Sequence, residues 1–146
     1  MAEILHLEVV TPERSVVHAD ASEVQLPGRD GYLGVLPGHA PLLTEAGIGE
    51  LSYKSGSGTE YIALIGGFAE VLPDGVIVLA ESAERPEEIN TERARTEKQA
   101  AEKILATPNI TLQQADEARV AVRRAEVRMQ VAARASQSVP GSAAHH

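Results

Sequence analysis

Turn signals recur through the first 80 or so residues at intervals too short to hold a helix between them. They fall at TPER (11–14), PGRDG (27–31), PGHAP (37–41), AGIG (46–49), SGSG (55–58), GG (66–67) and PDG (73–75). Glycine and proline punctuation of this density leaves only strand-length runs, such as EILHLEVV, SEVQLP, TEYIALI and GVIVLAE, each rich in Val, Ile, Leu or Tyr. Several alternate: Leu5, Leu7 and Val9 share one face, and Ile62 and Leu64 lie opposite Tyr61 and Ala63. About eight to ten short strands without an intervening helix point to an antiparallel sandwich or flattened barrel. Aromatic residues make up only 3% of the chain, so its core is built from Val, Leu, Ile and Ala.

The pattern changes after AERPEE (83–88). Asn90 or Thr91 is a candidate N-cap, Glu92 sits in the first turn, and no Gly or Pro intervenes before Pro108, so residues 91–106 read as a helix. Pro108 disfavours helical geometry at Thr107 and ends it. Thr111 with Gln114 three residues on has the form of a capping box, opening a second helix that runs to about Ala135. The expectation is an α+β chain: an N-terminal antiparallel β-sandwich over residues 1–86, a C-terminal antiparallel two-helix hairpin over 87–135, and a disordered polar tail over 136–146. Ala115, Ala118, Val122, Ala125, Met129 and Ala132 recur at spacings of three and four, a narrow seam of mostly small residues. Each methyl group buries little area, so the hairpin is weakly held and suited to movement.

Charge divides along the same boundary. Residues 1–88 carry 4 Lys and Arg against 15 Asp and Glu, while residues 89–146 carry 9 against 6. An acidic first part excludes nucleic acid as its partner, because phosphate neutralisation needs clustered cations. The absence of cysteine excludes disulfides and thiolate chemistry. No run approaches the roughly 18 uncharged apolar residues of a membrane span, which leads to the expectation of a soluble protein in the cytosol or at the cytosolic side of a membrane.

The stretch GYLGVLPGHAPLLT (31–44) looks most like a site. His39 has only Gly38, Ala40 and Pro41 beside it, without the carboxylate and nucleophile that acid–base or covalent catalysis requires; a hydrolase centred on it ranks far below a local or docking role. The glycines are followed by neither the Lys nor the helix N-terminus of a phosphate loop. His6, His18 and His39 lack metal-ligand spacing, so neither catalytic nor metal residues are assigned. On the second helix, Arg119 and Arg123 are four apart, as are Arg124 and Arg128, so each pair lies on one side. They form either a solvated face paired with Asp116, Glu117 and Glu126, or a surface that docks carboxylates or phosphates. Arg93 of the first helix would join Arg124 and Arg128 in a folded hairpin.

From about residue 3 to 135 the chain resembles the epsilon subunit of the F-type ATP synthase. The resemblance rests on LGVLPGHAPLLT (33–44), similar to that family's LG-x-x-PGHAPLLT, and on IALIGGFAEV (62–71), VIVLAESAE (76–84) and INTERA (89–94). It implies a ten-stranded sandwich followed by a two-helix hairpin, in a non-catalytic subunit of the central rotor. The implied partners are the gamma subunit, the ring of c subunits, and the alpha and beta subunits, with any membrane contact made through the complex. The implied role is coupling of proton translocation to ATP synthesis, with the helices restraining ATP hydrolysis. Tyr32, Leu33, His39 and Pro41 become candidates for the c-ring contact, and Arg119, Arg123, Arg124 and Arg128 for an inhibitory contact with the beta subunit. The bacterial inner membrane, on its cytoplasmic side, is the expected location, with the chloroplast thylakoid as alternative.

Some members of that family bind ATP between folded helices, so an ATP-sensing module is the alternative function; no cofactor is required, and ATP is the candidate regulatory ligand. The matching residues are Glu84, Ile89, Asn90, Arg93, Arg124 and Arg128. Asn90 stands where the family pattern has Asp, and it offers fewer acceptor sites than a carboxylate. Helix capping explains Asn90 equally well.

Overall fold

The computed structural model describes residues 3–56 and 58–135, the last helix carrying the bounds Leu112–His145. The tail expected over 136–146 lies outside the described residues. Eight strands come first: β1 (Leu5–Val10), β2 (Ser15–Ala21), β3 (Glu23–Gly28), β4 (Gly31–Val35), β5 (Leu42–Glu45), β6 (Ile48–Ser55), β7 (Gly58–Leu72) and β8 (Gly75–Glu84). A single 3-10 turn, Pro86–Glu88, leads into α1 (Thr91–Leu105) and α2 (Leu112–His145). The chain divides into two compact units, Met1–Arg85 and Pro86–His146.

Hydrogen bonding orders the strands β2-β1-β8-β7-β6-β3-β4, with β5 added to β7. The long β7 serves two neighbours in turn. Its first half, Gly58–Ile65, pairs with β6, and its second half, from Phe68 to Val71, pairs with β5. Between the halves, Gly66 and Gly67 have φ of 65° and 112°, a conformation that glycine adopts without steric cost. A Cβ on Gly67 would collide with the backbone of Leu79 and Ala80 on β8. The two strands therefore bend together while keeping their register, Ile65 opposite Ser82 and Gly67 opposite Ala80.

That bend turns one sheet into a sandwich. β2 and β6 are separated in strand order by β1, β8 and β7, yet they approach each other, and the Ser22 amide beyond β2 donates to the Lys54 carbonyl of β6 at 2.9 Å. Counting β7 and β8 as halves brings the eight strands to the ten expected. The GG pair at 66–67 marks a bend inside one strand, where the sequence pattern suggested a turn between two. One pairing also departs from the all-antiparallel expectation: β1 runs parallel to β8, with Leu7 opposite Val76 and Val9 opposite Val78. Parallel neighbours need a long crossover, and the whole of β2 to β7 supplies it.

The core lies between the two layers. Leu5, Leu7 and Val9 are fully buried as their alternation predicts, and they meet Val24, Leu26, Leu51, Ile62, Leu64, Val71, Val76 and Val78. At about 25 cal/mol per Å² these aliphatic side chains supply most of the sandwich's stabilisation. No charged or polar side chain is buried among the described residues.

Both helix starts follow the chemistry of their caps. The Asn90 side-chain oxygen accepts from the Arg93 amide at 3.0 Å. Thr111 and Gln114 close the capping box reciprocally: the Thr111 amide donates to Gln114 Oε1 at 2.8 Å, and the Gln114 amide donates to Thr111 Oγ1 at 3.0 Å. Between the helices Asn109 takes a φ of 65°, the left-handed region that Asn tolerates better than most residues. The hairpin seam joins Ala94 and Ala101 of α1 to Ala115, Ala118 and Ala125 of α2, all buried. Val122, Met129 and Ala132 are only partly buried, and Val127 and Val131 are buried in their place. From Ala125 onward α2 therefore buries a second face, which the three-and-four spacing did not identify.

Candidate interaction sites

The loop after β4 is fixed by the strands around it. The Gly38 amide donates to the Pro73 carbonyl at 2.7 Å and the His39 amide to that of Leu36 at 3.1 Å, so this loop and the β7–β8 turn form one end of the sandwich. His39 Nδ1 donates to the carbonyl of the next residue, Ala40, at 2.6 Å. The ring is held by its own loop. Pro41 is exposed and His39 half-buried at this end. Tyr32 lies at the other end of β4, beside the β3–β4 turn, where its hydroxyl accepts from the Glu50 amide at 3.0 Å. Leu33 packs against the core. The four residues grouped from the sequence are thus spread along β4 and the loop that follows it.

An apolar surface that sequence reasoning missed lies on the outer face of β5, β7 and β8. Phe68 and Leu79 are cross-strand partners and more than half exposed, at 54% and 57%. Leu43 on β5 is 75% exposed. Beside them, a groove of about 730 Å³ runs over the bare backbone of Gly66 and Gly67, with Val10, Pro12 and Glu45 on its walls. Exposed apolar side chains grouped on one face make it a candidate interaction surface. The signal was present in VIVLA (76–80), which is apolar at every position: one set of alternate residues enters the core, and the other, Ile77 and Leu79, faces outward.

The third place is the groove between α1 and α2, of about 600 Å³. Its floor is Ala101, Ala118 and Ala121, and its rim carries Glu97, Glu117, Arg124 and Arg128. Arg93 and Arg128 are brought together through Glu97, whose carboxylate oxygens lie 3.5 Å from Arg93 Nε and 3.6 Å from Arg128 Nη1. Glu126, expected to pair along its own helix, instead meets Lys98 of α1 at 3.6 Å. Arg119 pairs with Asp116 at 3.0 Å as expected, while Arg123 and Arg124 are exposed. Asn90 commits its oxygen to the helix cap. Ile89 precedes that cap, and Glu84 ends β8 in the other compact unit. Among the described residues no group of three or more His, Asp or Glu could hold a metal ion, and no helix is long and apolar enough to cross a membrane.

A bent sandwich with exposed apolar side chains on one face is followed by a two-helix hairpin. The chain's class is that of the ATP synthase delta and epsilon chains, whose β-sandwich domain model matches residues 4–86. The chain is 56% identical to the ATP synthase epsilon chain of Koribacter versatilis over 107 residues, covering 73% of this chain and 75% of that relative. It is 48% identical to that of Solibacter usitatus over 132 residues, covering 90% and 98%. The fold matches a chain in the mitochondrial ATP synthase of Euglena gracilis, with a TM-score of 0.76 at 20% identity, covering 90% of this chain and 82% of that one. The chain belongs to the ATP synthase epsilon chain family. It is accordingly a stalk subunit of the F-type ATP synthase complex and not the catalytic one.

Proposed function

We propose that this subunit turns with the gamma subunit on the c ring, couples proton translocation to ATP synthesis, and restrains ATP hydrolysis through its helices. On this reading the outer face of Leu43, Phe68 and Leu79 seats the gamma subunit, the end carrying His39 and Pro41 meets the c ring, and Arg119, Arg123, Arg124 and Arg128 meet acidic residues of the beta subunit. The complex would be held at the cytoplasmic face of the bacterial inner membrane, in keeping with the bacterial sources of the relatives.

The observation that carries the inhibitory part is the hairpin itself: an alanine seam of low burial energy, with arginines exposed along α2. A helix held this lightly can leave its partner for an acidic surface. Removal of residues 89–146 is expected to raise ATP hydrolysis by the reconstituted complex; unchanged hydrolysis removes the inhibitory role and leaves the coupling role standing. An ATP sensor is the second reading, favoured by the groove with Arg124 and Arg128 on its rim. Asn90 contributes less to it than the sequence pattern suggested, because its acceptor already serves the Arg93 amide. Calorimetry with millimolar ATP tests this reading: saturable heat that Arg124→Ala weakens supports it, and no heat removes it.

A further inference from the structure

Several ion pairs of the hairpin join neighbours on one helix, such as Arg119 with Asp116. Glu97 does more. One of its oxygens meets Arg93 on its own helix at 3.5 Å, while the other crosses to Arg128 of α2 at 3.6 Å. A single carboxylate thus ties two guanidinium groups across the seam. The Arg128 side chain is only 26% exposed, so this contact is screened less than an ordinary surface pair. One residue further along α1, Lys98 reaches Glu126 of α2 at 3.6 Å, a second cross-helix pair of reversed polarity. The seam that these pairs flank is made of alanine methyl groups, which contribute little on their own. These ionic ties add to what closes the hairpin.

We propose that Glu97 is a built-in counter-anion that latches the hairpin shut. It sits between Arg93 and Arg128, so any other anion that seeks both guanidinium groups competes with it. The closed hairpin then needs no ligand, and an entering polyphosphate must displace the carboxylate. This inference rests on the reading of the hairpin as a movable element. Guanidinium forks donate to carboxylate and phosphate oxygens alike, so the two compete for one site. The latch is weakened by salt, since both ties are partly exposed to solvent.

The chain has no cysteine, so Gln99→Cys on α1 and Val120→Cys on α2 give unique spin-label positions in the full chain. Electron–electron distance measurements at low and high salt then read closure directly. The parent chain is expected closed at low salt without ligand and increasingly open at high salt. E97Q is expected to raise the open population about two- to fivefold at low salt, the size of one lost surface-type ion pair, and sodium triphosphate is expected to close E97Q at lower concentration than it acts on the parent. Glu102→Gln, an exposed change on the same helix, should leave the distribution unaltered, and Arg128→Lys should retain low-salt closure. An E97Q distribution identical to the parent's, where both open with salt, overturns the latch and leaves the moving hairpin intact. A hairpin closed in every variant and at every salt concentration overturns the moving hairpin as well.

Discussion

At the scale of single residues, the side chains whose roles are settled are those that answer a local demand. Asn90, Thr111 and Gln114 each satisfy amides that a helix start leaves without partners. These were readable in the sequence because caps act over three residues and require no knowledge of the rest of the fold. Thr111→Ala is expected to destabilise the second unit by about 1 kcal/mol, seen as a lower midpoint when helicity is followed against urea; Thr111→Ser should restore most of it. Glu23 answers a demand within the sheet, from its own strand and from the next. Its carboxylate accepts from Gln25 Nε2 at 2.7 Å and faces Lys54 Nζ at 3.3 Å, and these partners, Gln25 first, hold it below the ordinary carboxylate range. A carboxyl lowered in the folded state contributes stability above its unfolded value, and that contribution is lost as pH falls through the lowered value. E23Q should therefore lose part of its stability difference from the parent only below about pH 4.3, measured as denaturation midpoints from pH 7 to pH 3. Glu97, by contrast, could not be singled out in the sequence. Its spacing to Arg93 is visible there, but its reach to Arg128 depends on how α2 turns against α1.

The elements show the same division. β1 follows from period-two alternation, and the helix starts at Thr91 and Leu112 follow from their caps. The bend in β7 and β8 did not emerge from pattern, because a GG pair reads equally as a turn between strands or as a break within one. Tertiary context decides: at Gly67 the backbone of β8 passes so close that only hydrogen fits. Gly67→Ala is expected to cost about 3 kcal/mol or more, combining a disfavoured positive φ with an overlap against backbone that cannot swing aside. Gly66→Ala should cost less, since the atom it meets is the end of the Glu81 side chain, although its φ is still unfavourable. Thermal unfolding of the two variants side by side checks the order. If the alanines cost the same, the close approach of β8 is not what fixes the bend.

At the scale of the molecule, the proposed function assigns affinity for partners and stability of the fold to different surfaces. The sandwich core is closed by the inner residues of β1, β3, β6, β7 and β8, none of which faces outward. Phe68 and Leu79 lie on the other face of the same strands, more than half exposed, so replacing them removes little that the isolated chain uses. Exposed positions away from caps and strained turns typically change stability by no more than about 0.5 kcal/mol. A large aromatic side chain at the centre of an interface contributes much more to binding, and truncating one commonly costs about 2 kcal/mol. Phe68→Ala is therefore expected to unfold within a few degrees of the parent while its affinity for the remaining stalk falls about thirtyfold. Arg123→Ala should instead leave assembly unchanged and weaken inhibition in a salt-dependent way, since exposed charges act over about 10 Å at 0.1 M salt. Measuring complex assembly and hydrolysis for the two variants in parallel separates the faces. Loss of assembly in Arg123→Ala, or normal assembly in Phe68→Ala, would place the docking surface on the hairpin and not on the sandwich.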